Sequence, residues 1–281
     1  MADERRVWLI TGASRGLGRA FAQAALEDGD AVVLTAREPS ALAELCAAHP
    51  DTALALALDV TDRAAARRVV EQAVDAFGRI DVLVNSAGYG LHAAIEETTE
   101  REAREQMETN FFGALWVTQA VLPIMRRQRS GRILQVSSAA GGTGFPMVGL
   151  YCASKFALEG MTEALALEAE RFGIAVTIVA PSDFRTGFLA SCRDREDPID
   201  EYTAEFAENL EAMSVRHAGS EPGDPLRAAR AVLDLVHDPN PPRKLLLGNR
   251  SYDVHVAHHR AQLDEWAAQE ELARSADAPP G

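Results

Sequence analysis

The sequence predicts an α/β fold, a doubly wound parallel sheet with helices on both faces. Short apolar runs alternate with longer amphipathic stretches over most of the 281 residues, the pattern of strand–helix–strand units joined by right-handed crossovers. The apolar runs are mostly unbroken, as in strands covered on both faces. The first run leads at once into a glycine-rich turn and a helical stretch.

In chain order, the strands are expected over residues 7–10, 31–35, 53–58, 82–85, 132–137, 175–179 and 244–247. The helices between them are expected over 17–28, 39–48, 63–77, 99–128, 153–172 and 224–235. In the third helix Val70, Ala73, Val74 and Phe77 form one apolar stripe, and Gly78 supplies a stop. The alternation breaks over residues 181–225, which carry Pro198, Pro222, Pro225, several acids and one helical candidate at 199–213. An insertion of this length is usually a lid or binding loop; a disordered insert is the other reading. A helical extension over about 252–275 and a frayed tail follow. The whole chain, 1–281, reads as one domain.

Composition excludes several classes. With 47% hydrophobic residues the chain can bury a full core. A net charge of −14 argues against nucleic-acid or anionic-membrane binding. No apolar run approaches the ~20 residues of a membrane span, and residues 7–10 are too short for a signal segment. Cys46, Cys152 and Cys192 are widely spaced, without CxxC or Cys/His patterns. Reduced thiols and a cytoplasmic location are expected. The His258-His259 pair has no partner at ligand spacing, so no metal is expected.

The turn after the first strand reads Thr11-Gly12-Ala13-Ser14-Arg15-Gly16-Leu17-Gly18. A strand, a glycine turn and a helix N-terminus make the setting of a dinucleotide pyrophosphate site. The spacing is GxxxGxG rather than GxGxxG. The second strand ends Thr35-Ala36-Arg37, with no acid at 35 or 36 to bind a ribose 2′-hydroxyl. Arg37 and Arg15 together suit a 2′-phosphate, which favours NADP(H) over NAD(H). If Glu38 rather than Arg37 points into the site, that preference weakens.

Tyr151 and Lys155 stand four residues apart on a helix, on one face. A nearby ammonium favours phenolate and lowers a tyrosine pKa, making the phenol a usable acid or base. Lysine occurs in this chain only at 155 and 244, which marks a position where a compact ammonium is wanted. A chance surface pair is the competing reading of the spacing alone.

Taken together, residues 7–186 resemble the short-chain dehydrogenase/reductase family, a Rossmann-fold group. Gly12, Ser14, Arg15, Gly16, Leu17 and Gly18 match its cofactor loop, and Leu58-Asp59-Val60 its adenine segment. Asn85-Ser86-Ala87-Gly88 is similar to its Asn-Asn-Ala-Gly element, with Ser at the second position. Asn110, Ser138, Tyr151 and Lys155 match its catalytic tetrad. The resemblance implies that Tyr151 acts as general acid or base and that Lys155 holds the nicotinamide ribose. It implies that Ser138 binds the substrate oxygen and Asn110 positions a water next to Lys155. Ser138 could instead cap the strand end, with Ser137 as the functional hydroxyl; Asn110 could be a solvated helical residue.

One departure stands out. Where the family reads Pro-Gly, this chain reads Pro181-Ser182-Asp183, with Thr186 following for the carboxamide. A positive φ at Ser182 would be strained, and Asp183 adds a carboxylate that tunes substrate choice or cofactor affinity. Tyr89, His92, Phe145, Met147, Leu150, Phe184, Phe188 and Leu189 could line an apolar substrate pocket; several could equally be core. The expected function is interconversion of a ketone or aldehyde and an alcohol on a small, fairly apolar molecule, in a homodimer or homotetramer. A non-redox enzyme of the same fold and a non-catalytic NADP(H) sensor are the alternatives.

Overall fold

The structure is a computed structural model that describes residues 5–188, 191–217 and 223–277. Leu189 and the last four residues of the tail lie outside them. Strands β1 (Val7–Thr11), β2 (Ala31–Ala36), β3 (Ala53–Ala57), β4 (Val82–Asn85), β6 (Gly131–Val136), β7 (Ile174–Pro181) and β9 (Lys244–Leu247) form one sheet. Its order is β3-β2-β1-β4-β6-β7-β9 and every pairing is parallel. Chain direction across the sheet reverses between β1 and β4, so a crevice opens there beyond the strand ends, where ligands bind in such folds.

Alternation along each strand divides the core. Trp8, Ile10, Val32, Leu34, Val82 and Val84 join one cluster with α1 (Gly16–Glu27) and α8 (Pro225–His237). Leu9, Val33, Leu83 and Ile133 join the other, against α3 (Arg63–Phe77), α5 (Gly113–Gln128) and α6 (Gly149–Ala169). Burying Trp8 strands its indole N–H, and Asp30 accepts it at 2.7 Å.

Local chemistry sets the helix ends. Asp62 caps α3 by accepting from the amides of Ala64 and Ala65, and Gly78 closes it at φ 78°. Thr99 and Glu102 form a capping box at α4 (Glu100–Met107). The single helix expected over 99–128 is instead interrupted by a π-turn, Glu108–Phe112, that carries Asn110. Such wide turns tend to occur at functional sites. The stretch expected as one helix over 39–48 is a 3₁₀ turn, Pro39–Leu42, followed by α2 (Ala43–Ala48).

The 181–225 segment contains α7 (Asp200–His217) and a short strand β8 (Arg193–Asp194) that sequence patterning did not reveal. β8 pairs in parallel with β5 (Leu91–His92). Buried Glu97 reinforces that seam: it accepts from the amides of Ala94 and Ile199 and lies 2.7 Å from Arg195 Nε. The insertion is thus strapped to the loop after β4. The chain ends in α9 (Asn249–Ala268) and α10 (Glu270–Arg274). Among the described residues, no helix is long and apolar enough to cross a membrane.

Candidate active site

A cleft of about 890 Å³ lies over the carboxyl ends of β1, β2, β4, β6 and β7. Its size is at the upper end for small-molecule sites. One end is made by the turn between β1 and α1: Gly12, Ser14, Arg15, Gly16, Leu17 and Gly18 all line it. Gly12 has φ 67°, and a Cβ there would meet Ala87 Cα and N at 2.9 Å. Both constraints demand glycine, and they leave the turn's backbone bare toward the cleft at a helix N-terminus. That is the cradle a pyrophosphate needs.

Arg37 lines the same end, as do Asp59 and Val60, whereas Glu38 does not. Arg15 and Arg37 are exposed and make no ion pair among the described residues. Two unneutralised guanidinium groups at the end of β2 suit an additional phosphate.

The middle of the cleft holds Ala87, Gly88, Ser138, Tyr151, Lys155, Pro181 and Thr186. Ser138 lies two residues past the end of β6 and caps a 3₁₀ turn, Ala139–Gly141, by accepting from Ala140 N at 3.2 Å. It also hydrogen-bonds the Tyr151 side chain. Capping and facing Tyr151 are therefore one arrangement, not rival ones. Ser137 is spent elsewhere, donating to Glu159 at 2.6 Å.

The expected depression of the Tyr151 pKa does not occur. Burial pushes the phenol well above its ordinary value, and the Ser138 hydrogen bond opposes this only in part. The Lys155 ammonium donates to the Val136 carbonyl at 2.8 Å. It lies 5.8 Å from the Tyr151 ring centroid. Burial lowers the Lys155 pKa to about 8, against the pull of Glu159.

Asn85 and Asn110 stand behind the cleft, not in it. Asn85 donates to Thr118 Oγ1 at 3.0 Å and Ala114 O at 3.3 Å, tying β4 to α5. Its side chain belongs to the core, which leaves its backbone for the expected cofactor contact. Asn110 is buried rather than solvated. It accepts from Tyr89 N at 3.1 Å and donates to Tyr89 O at 2.9 Å and Ser154 Oγ at 3.0 Å. Its amide thus joins the π-turn to the loop after β4 and to α6.

The substrate end contains Tyr89, His92, Phe145, Met147, Phe184 and Phe188, all lining the cleft. Leu150, in the first turn of α6, does not. His92 is buried, with Nδ1 3.4 Å from Asp194 Oδ1. Phe188 packs 5.9 Å from the Tyr151 ring, centroid to centroid.

Ser182 is not strained: among the described residues, the non-glycine ones with positive φ are Arg129 and Met147. Ser182 continues the β7 ladder, donating its amide to Leu247 O at 2.9 Å. The glycine lies across the ladder instead, at Gly248 (φ 93°), packed against the Ser182 hydroxyl. Asp183 pairs with Arg250 at 2.7 Å. Sequence reading missed Arg250, Cys192, Arg193 and Phe206 in the lining. Only the helical candidate at 199–213 hinted at any of them. Among the described residues, no cluster of three or more metal-ligating side chains occurs.

Comparison with known proteins agrees with this architecture. A family profile described as "short chain dehydrogenase" matches residues 6–197. Oxidoreductase BOA17 of Botryotinia fuckeliana is 40% identical over 247 residues, covering 86% of this chain and 89% of that protein. A 3-ketodihydrosphingosine reductase of Bacteroides thetaiotaomicron is 39% identical, covering 86% and 88%. The crystal structure of a short-chain dehydrogenase from Streptomyces avermitilis superposes with a TM-score of 0.91 at 38% identity, covering 99% of this chain and 100% of that one. ElxO with NADP bound superposes at 0.70 and 27% identity, covering 83% and 91%. This chain belongs to the short-chain dehydrogenase family and is an oxidoreductase of the nicotinamide-dependent kind.

Proposed function

We propose that the chain interconverts a ketone or aldehyde and an alcohol, using NADP(H) in preference to NAD(H). One observation carries this reading: Ser138, Tyr151 and Lys155 meet in the middle of a cleft whose far end holds a glycine cradle and two unpaired arginines. When bound, the cofactor supplies the hydride.

The chain's own residues bind, orient and move the proton. Gly12, Ser14, Gly16, Leu17 and Gly18 hold the pyrophosphate; Arg15 and Arg37 hold the 2′-phosphate. Asp59 and Val60 border the adenine, and Ala87, Gly88, Pro181 and Thr186 border the nicotinamide. Ser138 donates to the carbonyl oxygen and stabilises charge developing there. Tyr151, protonated at neutral pH because it is buried, gives its proton to that oxygen. Lys155, anchored on the Val136 carbonyl, would hold the ribose. Asn110 fixes the Tyr89 loop and the Ser154 turn around it.

The substrate end is lined by Tyr89, Phe145, Met147, Phe184 and Phe188, which supports a fairly apolar substrate. The name of the Bacteroides relative, a ketone reductase, supports the reductive direction. The chain works as one domain in the cytoplasm, with no nucleic acid, membrane or metal partner. It forms a homodimer or homotetramer through the helical stretches 99–128 and 153–172, and Phe156 and Leu167 on α6 are exposed.

The test is stoichiometric loss of 340-nm absorbance from NADPH on adding a panel of ketones and aldehydes, repeated with NADH. Product formation without absorbance change would move the protein to the non-redox reactions of this fold. Tight NADPH binding with no turnover across the panel would make it a sensor.

A further inference from the structure

The proposed chemistry leaves Glu159, a buried carboxylate on α6, without a role. α6 presents Tyr151, Lys155 and Glu159 at intervals of four, on one face. Three consecutive residues at the end of β6 receive them: Ser138 bonds Tyr151, the Val136 carbonyl accepts from Lys155, and Ser137 Oγ donates to Glu159 Oε1 at 2.6 Å. The second oxygen, Oε2, accepts from Lys244 Nζ at 2.5 Å. The Glu159 side chain is 6% exposed and that of Lys244 24%. A Cβ at Gly141 would collide with both Glu159 Oε1 and Ser137 Oγ, so a glycine admits the carboxylate directly behind the Ser138 turn. The chain's two lysines thus stand on either count beside the same acid: Lys155 one helical turn before it, Lys244 in contact with it.

We propose that Glu159 is a positioning residue. It fixes the segment carrying Ser138 against the helix carrying Tyr151, and it holds Lys155 in the ammonium form, while Lys244 from β9 offsets its buried charge. The importance of this for turnover rests on the functional reading above.

A buried ammonium tends to lose its proton, and a nearby carboxylate opposes that loss. Among the described residues, the groups next to Lys155 are neutral: Tyr151 on the same helix, the Val136 carbonyl, Asn110 on the π-turn and the Gly88 backbone after β4. Around Glu159 stand Ser137 from β6, Lys244 from β9 and His255 from α9. Burial holds the His255 pKa down, so its ring is neutral near pH 7. Glu159 is therefore the anion that acts on Lys155. Its two oxygens accept from Ser137 and Lys244, while the Lys155 ammonium donates to the Val136 carbonyl instead.

The two-lysine composition makes the test direct. Full-length protein labelled with ¹³Cε-lysine gives two side-chain signals, assigned with Lys244→Arg. Glu159→Gln is expected to lower the titration midpoint of Lys155 by about half a pH unit or more. Ser137→Ala keeps the charge, so it is expected to leave that midpoint in place while lowering kcat with little change in KM. An unmoved Lys155 midpoint in Glu159→Gln overturns the proposal, as does an equal shift in Ser137→Ala. If the Gln variant does not fold, Glu159→Asp carries the test: its shorter carboxylate is expected to lower the midpoint by a smaller amount, and an unchanged value overturns the idea. The titration needs no turnover. A wild-type protein inactive toward carbonyls would sink the functional reading and leave the lysine result standing.

Discussion

Lys155 Nζ donates to the Val136 carbonyl at 2.8 Å and stands 5.8 Å from the centroid of the Tyr151 ring. The ammonium is anchored on the strand, and the phenol is held by burial and by Ser138. Tyr151 is therefore protonated across the neutral range, as a donor to a carbonyl oxygen must be. Tyr151→Phe keeps the ring and its packing on Phe188 but removes the proton. We expect kcat/KM for carbonyl reduction to fall by about 10²–10⁴-fold, with NADPH affinity nearly unchanged. Retained reductase activity in this variant would defeat the proposed mechanism.

The low Lys155 pKa, about 8, predicts a pH dependence of nucleotide binding. A ribose held by an ammonium, next to an anionic pyrophosphate, favours the protonated lysine. Affinity for NADPH should then be highest below pH 8 and weaken as Lys155 loses its proton above it. Fluorescence titrations at pH 7 and pH 9.5 measure this. Lys155→Met should bind more weakly at pH 7 and lose most of the pH dependence; a variant with the wild-type slope would assign the titration to another group.

Arg37 distinguishes the two cofactors by charge. Hydrogen bonds between charged groups contribute about 1.5–3 kcal/mol, or roughly 10–100-fold in affinity. Arg37→Ala should raise KM for NADPH by that factor and leave KM for NADH within about twofold. Equal losses for both cofactors would place Arg37 on a part they share.

The parallel sheet was legible because its strands are continuous apolar runs: β4 and β9 fall on the expected residues, and the other five strands within two residues of expected ends. The glycine turn, Ser138, Tyr151 and Lys155 were legible because local spacing fixes their places on adjoining elements. What could not be read depends on contacts across the chain. Two-residue strands such as β5 and β8 carry no period. Asn85 looks like a ligand residue, yet its amide points into the core to satisfy Thr118. Arg250 reaches the cleft only because β9 lies beside β7. The pKa of Tyr151 reversed the local expectation because burial, which i, i+4 spacing does not report, dominates it.

Asp183 is engaged by Arg250, and both line the cleft. Each side chain keeps some exposure, 28% and 38%, so the pair contributes little to stability. Its effect is on the field in the cleft. Asp183→Asn removes a negative charge and leaves the Arg250 guanidinium without its carboxylate. NADPH, an anion, should bind several-fold more tightly, with the melting temperature within a few degrees of wild type. An unchanged Kd for the cofactor and unchanged kcat/KM across carbonyl substrates would remove Asp183 from any functional role.

Glu97 controls the other wall. Its side chain is fully buried and holds Ala94, Arg195 and Ile199 together, joining the loop after β4 to the insertion. Arg195 in turn lies 3.6 Å over the ring of Phe206, which lines the cleft. Removing one member of a buried ion pair leaves the other uncompensated, at a cost of about 3–5 kcal/mol. The cost falls on one seam, so the sheet should remain folded while the insertion detaches. Glu97→Ala is expected to raise KM for carbonyl substrates at least about tenfold as that wall loosens, and to leave KM for NADPH nearly unchanged. Limited proteolysis should find new cuts within residues 191–206. Should the cofactor and substrate constants move together, the insertion belongs to the whole cleft and not to its substrate end alone.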